Sequence, residues 1–255
     1  MRKRFQDLVR LCNRLRGPKG CPWDREQTLE TLKTFIIEEA YEVTDAIDSG
    51  DQEELIEELG DLLFQIVFAS QICEEDGVFS IGEVIDGLYN KLVRRHPNVF
   101  GDEKAKDAGE ALKRWHGQKL KEKSRTKGLL GIPRSMPSLL RAQRVGEKAS
   151  HVGFDWPNAN DVIDKVKEEL EELKLEIERG DRDLISKEWG DLVFSLVNLA
   201  RHLKIDAEGT LHGAIDKFIE RFTDVEERAK RLNRIFSDMT VDEMDELWNM
   251  VKEED

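Results

Sequence analysis

Residues 36–66 of the chain read IIEEAYEVTDAIDSGDQEELIEELGDLLFQI, an acidic and apolar pattern interrupted by Ser49-Gly50-Asp51. On each side of this tripeptide, apolar residues recur three and four positions apart, as expected for amphipathic helices. A glycine followed by aspartate between two such stretches is typical of a short helix–helix turn. The stretch therefore predicts two long helices joined by a tight turn.

The same pattern returns 130 positions later, so the chain contains an internal duplication. Sustained alternation of apolar and polar residues, the signature of strands, is nearly missing from the sequence. We therefore predict an all-α protein made of two homologous helical-bundle domains, at residues 1–121 and 138–255, with a linker at 122–137. The matched acidic residues are Glu38, Glu39, Glu42, Glu58 and Asp61 in the first copy, and Glu168, Glu169, Glu172, Glu188 and Asp191 in the second.

Composition narrows the class of partner. The chain has 54 acidic and 40 basic residues, a formal net charge of −14, which disfavours binding to a nucleic acid backbone. Cys12, Cys21 and Cys73 show no C-x-x-C spacing and are interpreted as reduced thiols. The longest apolar run is too short to cross a bilayer. We expect a soluble, cytoplasmic protein with no membrane or nucleic acid partner.

The acidic residues predict a site for a divalent cation. Residues three or four apart share one face of a helix, so Glu39 and Glu42 point the same way, as do Glu58 and Asp61. Packing the two helices together would gather four carboxylates that repel one another unless a cation neutralises them. An all-oxygen set suits Mg²⁺, with Mn²⁺ as a substitute. The second copy predicts the same site from Glu169, Glu172, Glu188 and Asp191.

Two other interpretations of these acidic stretches stay open. In a chain with 37% charged residues, one Glu-Glu-x-x-Glu motif is usually a solvated helix face, and one copy could be a decayed duplicate kept for packing. A di-iron bundle is disfavoured, because no histidine follows these glutamates at the Glu-x-x-His spacing.

The motifs together resemble the MazG family, within the all-α nucleoside triphosphate pyrophosphatase superfamily that includes the dimeric dUTPases. The resemblance spans nearly the whole chain in its tandem, two-domain form. Beyond the carboxylates, it is carried by residues 20–24 (GCPWD), 58–64 (ELGDLLF), 94–100 (RRHPNVF), 190–194 (GDLVF) and 197–202 (VNLARH).

This resemblance implies hydrolysis of canonical or aberrant nucleoside triphosphates to the monophosphate and pyrophosphate, with broad specificity and with Mg²⁺ on the carboxylates. Glu168, and its counterpart Glu38, would then act as the general base or orient a metal ligand. The sequence leaves that choice open, together with the number of metals and the preferred base and sugar.

The resemblance also implies nucleotide contacts by basic and aromatic residues. The alternatives are a solvated surface charge for each lysine and core packing for Trp248. Phe35 stands where the second copy has Lys165, so the two sites cannot bind a nucleotide identically. The resemblance implies that the second site is active, and we expect the first to be active or regulatory. The residues implied are Lys165, Lys187, Lys217, Arg221 and Trp248, and in the first half Lys91, Arg94, Arg95 and Trp115.

Two questions remain: the oligomeric state of the protein, and whether it is an enzyme or a non-catalytic module. Two long helices per half leave apolar surface that needs partner helices, and the resemblance favours a homodimer over packing of the halves on each other. The alternative to an enzyme is a helical module that senses a nucleotide or docks a protein without turnover.

Overall fold

A computed structural model of the protein describes residues 3–101, 104–123 and 131–254. These residues form helices and connecting segments, with no strand among them, so the predicted all-α class is confirmed. The chain divides into two compact units, Met1–Lys119 and Leu120–Asp255. Residues 124–130, within the predicted linker, lie outside the described residues.

The first half is organised around a hairpin of two long antiparallel helices, α3 and α4. α1 packs against α4, and the core between them contains Cys12, Leu32, Val67, Phe68 and Ile72. The helices of this half are α1 (Phe5–Arg16), α2 (Pro22–Glu26), α3 (Leu29–Ser49), α4 (Gln52–Glu75), α5 (Ile81–Arg95), α6 (Pro97–Phe100) and α7 (Ala108–Lys123).

The second half repeats the hairpin with α9 and α10, and α8 packs against α10 as α1 packs against α4. α12 packs on α11 around Val225, Ala229, Met239, Leu247 and Val251. The helices are α8 (Ser138–Ser150), α9 (Ala159–Arg179), α10 (Arg182–His202), α11 (Ala207–Arg231) and α12 (Val241–Glu254), with a short 3₁₀ helix at Phe236–Asp238.

Both hairpins turn by the same device, a glycine followed by an aspartate. Gly50 and Gly180 have φ values of 74° and 75°, in the left-handed region that favours glycine at a helix end. Asp51 and Asp181 then cap the next helix, and each side chain accepts hydrogen bonds from two backbone N–H groups. The turns thus fix the same register in both hairpins, and this register decides which carboxylates face each other.

No helix within the described parts of the chain combines the length and the apolar character needed to cross a bilayer.

Candidate active site

The first hairpin brings acidic side chains of α3 and α4 together. Glu39, Glu58 and Asp61 each offer a carboxylate oxygen, and these oxygens all lie within 4.8 Å of one another. Glu39 also accepts a hydrogen bond of 3.1 Å from the Gln65 amide on α4. The helical spacing within each helix and the antiparallel register between them thus produce one acidic cluster.

Glu42 belongs electrostatically to this first cluster. Its pKa is raised above the usual range, chiefly by desolvation and then by the charges of Glu39, Glu38 and Asp61. The pKa of Glu58 is raised for the same reasons, with desolvation first and Glu42 the largest of the neighbouring charges. These carboxylates therefore repel one another, and a divalent cation would relieve that repulsion.

The second hairpin also forms a three-carboxylate cluster, beside a cavity of about 360 Å³, but with Glu172 where the first cluster has Asp61 as its third member. Carboxylate oxygens of Glu169, Glu172 and Glu188 lie within 4.8 Å of one another. Glu169 is buried, Glu188 is half-buried and Glu172 is exposed. The residues that line the cavity are Glu169, Glu172, Leu175, Glu176, Arg179, Lys187, Glu188 and Asp191.

Two lysines neutralise part of the second cluster. Lys165 Nζ lies 2.7 Å from Glu169 Oε1 and 2.8 Å from Glu168 Oε1. Lys187 Nζ lies 3.2 Å from Glu188 Oε1. Hydrogen bonds, first to Glu168 and then to Glu169, raise the pKa of Lys165, and the hydrogen bond to Glu188 raises that of Lys187. Both lysines are therefore held in the charged form beside the carboxylates.

The donor sets fit a hard divalent cation. Mg²⁺ binds oxygen ligands at about 2.0–2.1 Å, so neighbouring oxygens on one ion are about 3 Å apart and opposite ones about 4 Å apart. The carboxylate oxygens in both clusters lie within 4.8 Å of one another, which is close to that separation. Mn²⁺ prefers the same ligand class, whereas the lack of sulfur and imidazole in both sets disfavours zinc.

The other basic and aromatic candidates of the second half lie on α11 and α12. Lys217 is exposed on α11, one turn before the half-buried Arg221. Trp248 on α12 is half-buried and packs on Phe218, with ring centroids 5.1 Å apart, at the edge of the core between α11 and α12. Among the described residues, Lys187 is the one implied nucleotide ligand that lines the cavity. Lys165 lies next to the cavity, because it pairs with Glu169 in the cavity wall.

The corresponding candidates of the first half lie on α5 and α7. The Arg95 guanidinium lies 5.6 Å from the centroid of the Trp115 ring, so these two residues form a cation–π pair. Lys91 and Arg94 are exposed on the same helix as Arg95. The structure therefore brings Arg95 and Trp115 together.

Sequence reasoning missed Glu176 and Arg179 in the cavity wall. Arg179 donates a hydrogen bond of 2.5 Å to Glu176 Oε1, and Glu176 Oε2 is buried with no hydrogen-bond partner among the described residues. Glu176 follows Glu172 by four positions, so helical spacing alone could have placed it on the same face. The first copy has Ala46 at the matched position, so comparison of the two copies did not single out Glu176.

Comparisons with known proteins agree with this arrangement. Residues 27–100 and 158–225 match the MazG nucleotide pyrophosphohydrolase domain, so each hairpin lies within one matched segment. A Thermotoga maritima protein named nucleoside triphosphate pyrophosphohydrolase/pyrophosphatase MazG is 43% identical over 250 residues, covering 97% of this chain and 95% of its own. An Escherichia coli K12 nucleoside triphosphate pyrophosphohydrolase is 42% identical over 254 residues, covering 97% of each chain.

A Mycolicibacterium smegmatis protein of the same name is 38% identical over 157 residues, which is 60% of this chain and 48% of its own. The match to the domain covers more than half of the chain, and two relatives align with almost its whole length. The chain therefore belongs to the MazG family of nucleotide pyrophosphohydrolases.

Proposed function

We propose that the protein hydrolyses nucleoside triphosphates, with broad base specificity, to the monophosphate and pyrophosphate, using Mg²⁺ bound by its carboxylate clusters. The observation that carries this proposal is the gathering of carboxylate oxygens within 4.8 Å in each hairpin, beside a cavity with a lysine in its wall in the second. The names of the relatives from Thermotoga maritima and Escherichia coli support the same reaction.

In the second half, Glu169, Glu172, Glu188 and Asp191 would hold the cation, and Glu39, Glu42, Glu58 and Asp61 would do so in the first. Bound Mg²⁺ neutralises triphosphate charge and the charge that develops as the phosphoanhydride bond breaks. Lys165 and Lys187, which lie at the cluster, would bind phosphate oxygens. Glu168, exposed at the rim, would accept a proton from the attacking water, as Glu38 would in the first half.

Base recognition in this proposal is permissive. Stacking on the Trp248 ring, or on Trp115 in the first half, would hold any base, because every base has a π face. Lys217 and Arg221, and Lys91, Arg94 and Arg95 in the first half, would add positive charge near the triphosphate. Because Trp248 packs on Phe218, its ring edge and remaining exposed face are what a base would contact.

The test is a product assay by phosphorus NMR with each common nucleoside triphosphate, Mg²⁺ and ¹⁸O-labelled water. We expect monophosphate and pyrophosphate in equal amounts, with the label entirely in whichever product contains the attacked phosphorus. Addition of EDTA should stop turnover. Diphosphate and orthophosphate as products would overturn the proposal, and tight nucleotide binding without turnover would favour a non-catalytic sensor.

We further propose that the protein is a homodimer, because α5 and α11 each expose an apolar stripe. Val84, Ile85, Leu88 and Leu92 recur at helical spacing along α5, and all are at least 37% exposed. α11 carries the same kind of stripe, formed by Leu211, Ile215, Phe218, Ile219 and Phe222. Large apolar side chains exposed side by side along one helix face are typical of a protein–protein interface. In a twofold dimer the same stripe of each chain can cover its copy.

Replacing Ile215 by glutamate should weaken this dimer, because it places a charge within the α11 stripe, where Ile215 is 47% exposed in the single chain. Sedimentation velocity across a protein dilution series measures the effect, and we expect the dissociation constant to rise at least about tenfold. Thr210→Glu is the matched control, since Thr210 is exposed on α11 away from the stripe. Equal dissociation constants for Ile215→Glu and Thr210→Glu would contradict the proposed interface.

A further inference from the structure

The two acidic clusters differ in the charges placed beside them. Lys165 lies one turn before the acidic motif of α9, and the matched residue on α3 is Phe35. Lys187 precedes Glu188 on α10, and the matched residue on α4 is Glu57. The second cluster therefore has two neighbouring ammonium groups, whereas the first has an aromatic ring and a further carboxylate at the same positions.

In the second half these lysines serve as counter-ions of the carboxylates. Glu169 has a side chain only 8% exposed, and Lys165, 2.7 Å away, is the ion-pair partner that the described residues provide for it. A buried carboxylate without such a partner is costly. Lys187 pairs in the same way with Glu188, whose side chain is 13% exposed. The cluster is thus partly neutralised by the protein itself.

The first cluster has no equivalent neutralisation. Among the side chains that the structure describes, no lysine or arginine forms an ion pair with Glu39, Glu42, Glu58 or Asp61. Phe35 instead packs edge-to-face on Trp23, with ring centroids 5.8 Å apart, and contributes to the core of the first half. The Gln65 amide, which donates to Glu39, carries no net charge.

We propose that the two clusters bind divalent cations under different conditions. The first cluster binds a cation tightly without nucleotide, whereas the second binds one tightly only together with a nucleotide, whose phosphates draw Lys165 and Lys187 away from the carboxylates. This inference rests on the proposed function, because it takes both clusters to be cation sites. The ammonium groups repel an approaching cation and occupy its ligands, while in the first cluster a cation relieves repulsion among carboxylates.

One consequence is that the halves couple cation and nucleotide differently. In the second half each ligand prepares the site for the other, so the coupling is positive and reciprocal. In the first half the cation stays bound between α3 and α4 whether or not nucleotide is present. The second half is then the one in which substrate assembles the complete site.

The experiment measures Mn²⁺ binding without nucleotide, from the electron paramagnetic resonance signal of the free ion. Glu172→Gln/Glu188→Gln in the full chain leaves the first cluster intact, and Glu42→Gln/Glu58→Gln leaves the second. We expect the first cluster to bind Mn²⁺ at least about tenfold more tightly than the second. Adding Lys165→Met/Lys187→Met to the chain with only the second cluster should raise its affinity at least about tenfold.

The matched control in that same chain is Lys167→Met/Lys174→Met. It removes the same charge from exposed lysines of α9 that pair with Asp164 and Glu171, away from the cavity. We expect this control to change the affinity less than about twofold, since surface charges are screened by salt. Equal gains in both lysine variants, or equal affinity of the two clusters, would overturn the inference. Circular dichroism of each variant checks that helix content is retained.

Turnover of the wild-type protein separates this inference from the proposed function. Clusters of equal Mn²⁺ affinity in a protein that releases pyrophosphate would refute the inference and leave the function standing. Unequal clusters in a protein that does not release pyrophosphate would refute the function and leave the difference in cation binding.

Discussion

Glu172→Gln should lower the rate of pyrophosphate release at least about a hundredfold, because it removes a charged ligand from the second cluster while keeping the size of the side chain. Glu172 shares its cluster with Glu169 and Glu188 and lines the cavity. The measurement is the initial rate with saturating nucleotide and Mg²⁺. Glu42→Gln, the matched change in the first half, should lower the rate by much less if the second half performs most of the turnover.

Glu171→Gln is the control for this experiment. Glu171 is adjacent in sequence, its side chain is 67% exposed, and it pairs with Lys174 outside the cavity. The change removes the same charge from the same helix, so it should leave the rate within about twofold of wild type. A full rate for Glu172→Gln with a large loss for Glu42→Gln would transfer catalysis to the first half. Wild-type rates for both Glu172→Gln and Glu42→Gln would show that neither carboxylate is needed for turnover.

The hairpins and their acidic faces could be predicted from the sequence because each depends on short-range rules. Gly50-Asp51 and Gly180-Asp181 give the turn, and the helical period gives the face on which Glu39 and Glu42 lie. Antiparallel pairing then follows from the short connection, which explains why carboxylates far apart in sequence meet. Because the pattern occurs twice, the second copy supported the prediction made from the first.

Features that depend on where long side chains end could not be predicted. Helical spacing alone places Lys165 one turn before Glu169, but the burial of Glu169, which makes that ion pair important, follows from packing around α9. Trp248 could stack on a base or fill the core, and its contact with Phe218 depends on how α12 folds back on α11. Glu176 shares a helix face with Glu172, but it lies outside the duplicated pattern, so nothing in the motifs marked it as part of the cavity wall.

A second feature that the motifs did not reveal is an arginine–carboxylate ion pair in each half. The arginine lies on α1 in the first half and on α10 in the second. In the first half, Arg16 on α1 pairs with Glu75 on α4 at 2.7 Å. The matched position on α8 is Gly146, and there a Cβ atom would lie 2.9 Å from Nε of Arg201, which comes from α10. Each half thus contains a largely buried arginine, on α1 in the first and on α10 in the second, and Gly146 leaves room for the second.

In the second half, Arg201 binds Asp155 through both Nη atoms, one of them at 2.9 Å, and His202 Nε2 lies 3.1 Å from the same carboxylate. The Arg201 side chain is 12% exposed and that of Asp155 25%. The hydrogen bond from Arg201 lowers the pKa of Asp155 to about 2. This pair ties the segment before α9 to the end of α10, and so holds the ends of the hairpin that bears the second cluster.

Arg201→Met should lower the free energy of unfolding by about 1–3 kcal/mol at pH 7, because it removes two charge-assisted hydrogen bonds to Asp155. Urea unfolding followed by circular dichroism measures the loss. Arg231→Met is the control: Arg231 is 75% exposed and pairs with Glu227 on the same helix, so its removal should cost less than about 0.5 kcal/mol.

The difference in the free energy of unfolding between wild type and Arg201→Met should also depend on pH, and should shrink as the pH falls. The folded pKa of Asp155 lies below its ordinary value of 3.8, so the stability that the pair provides is complete above that value. It is lost as pH falls from 3.8 towards 2, where protonated Asp155 no longer attracts Arg201. The two unfolding free energies should therefore converge as the pH falls from 4 towards 2. A gap that persists unchanged at pH 3 would mean that Arg201 stabilises the hairpin through its packing against Asn198 and α8 rather than through its charge.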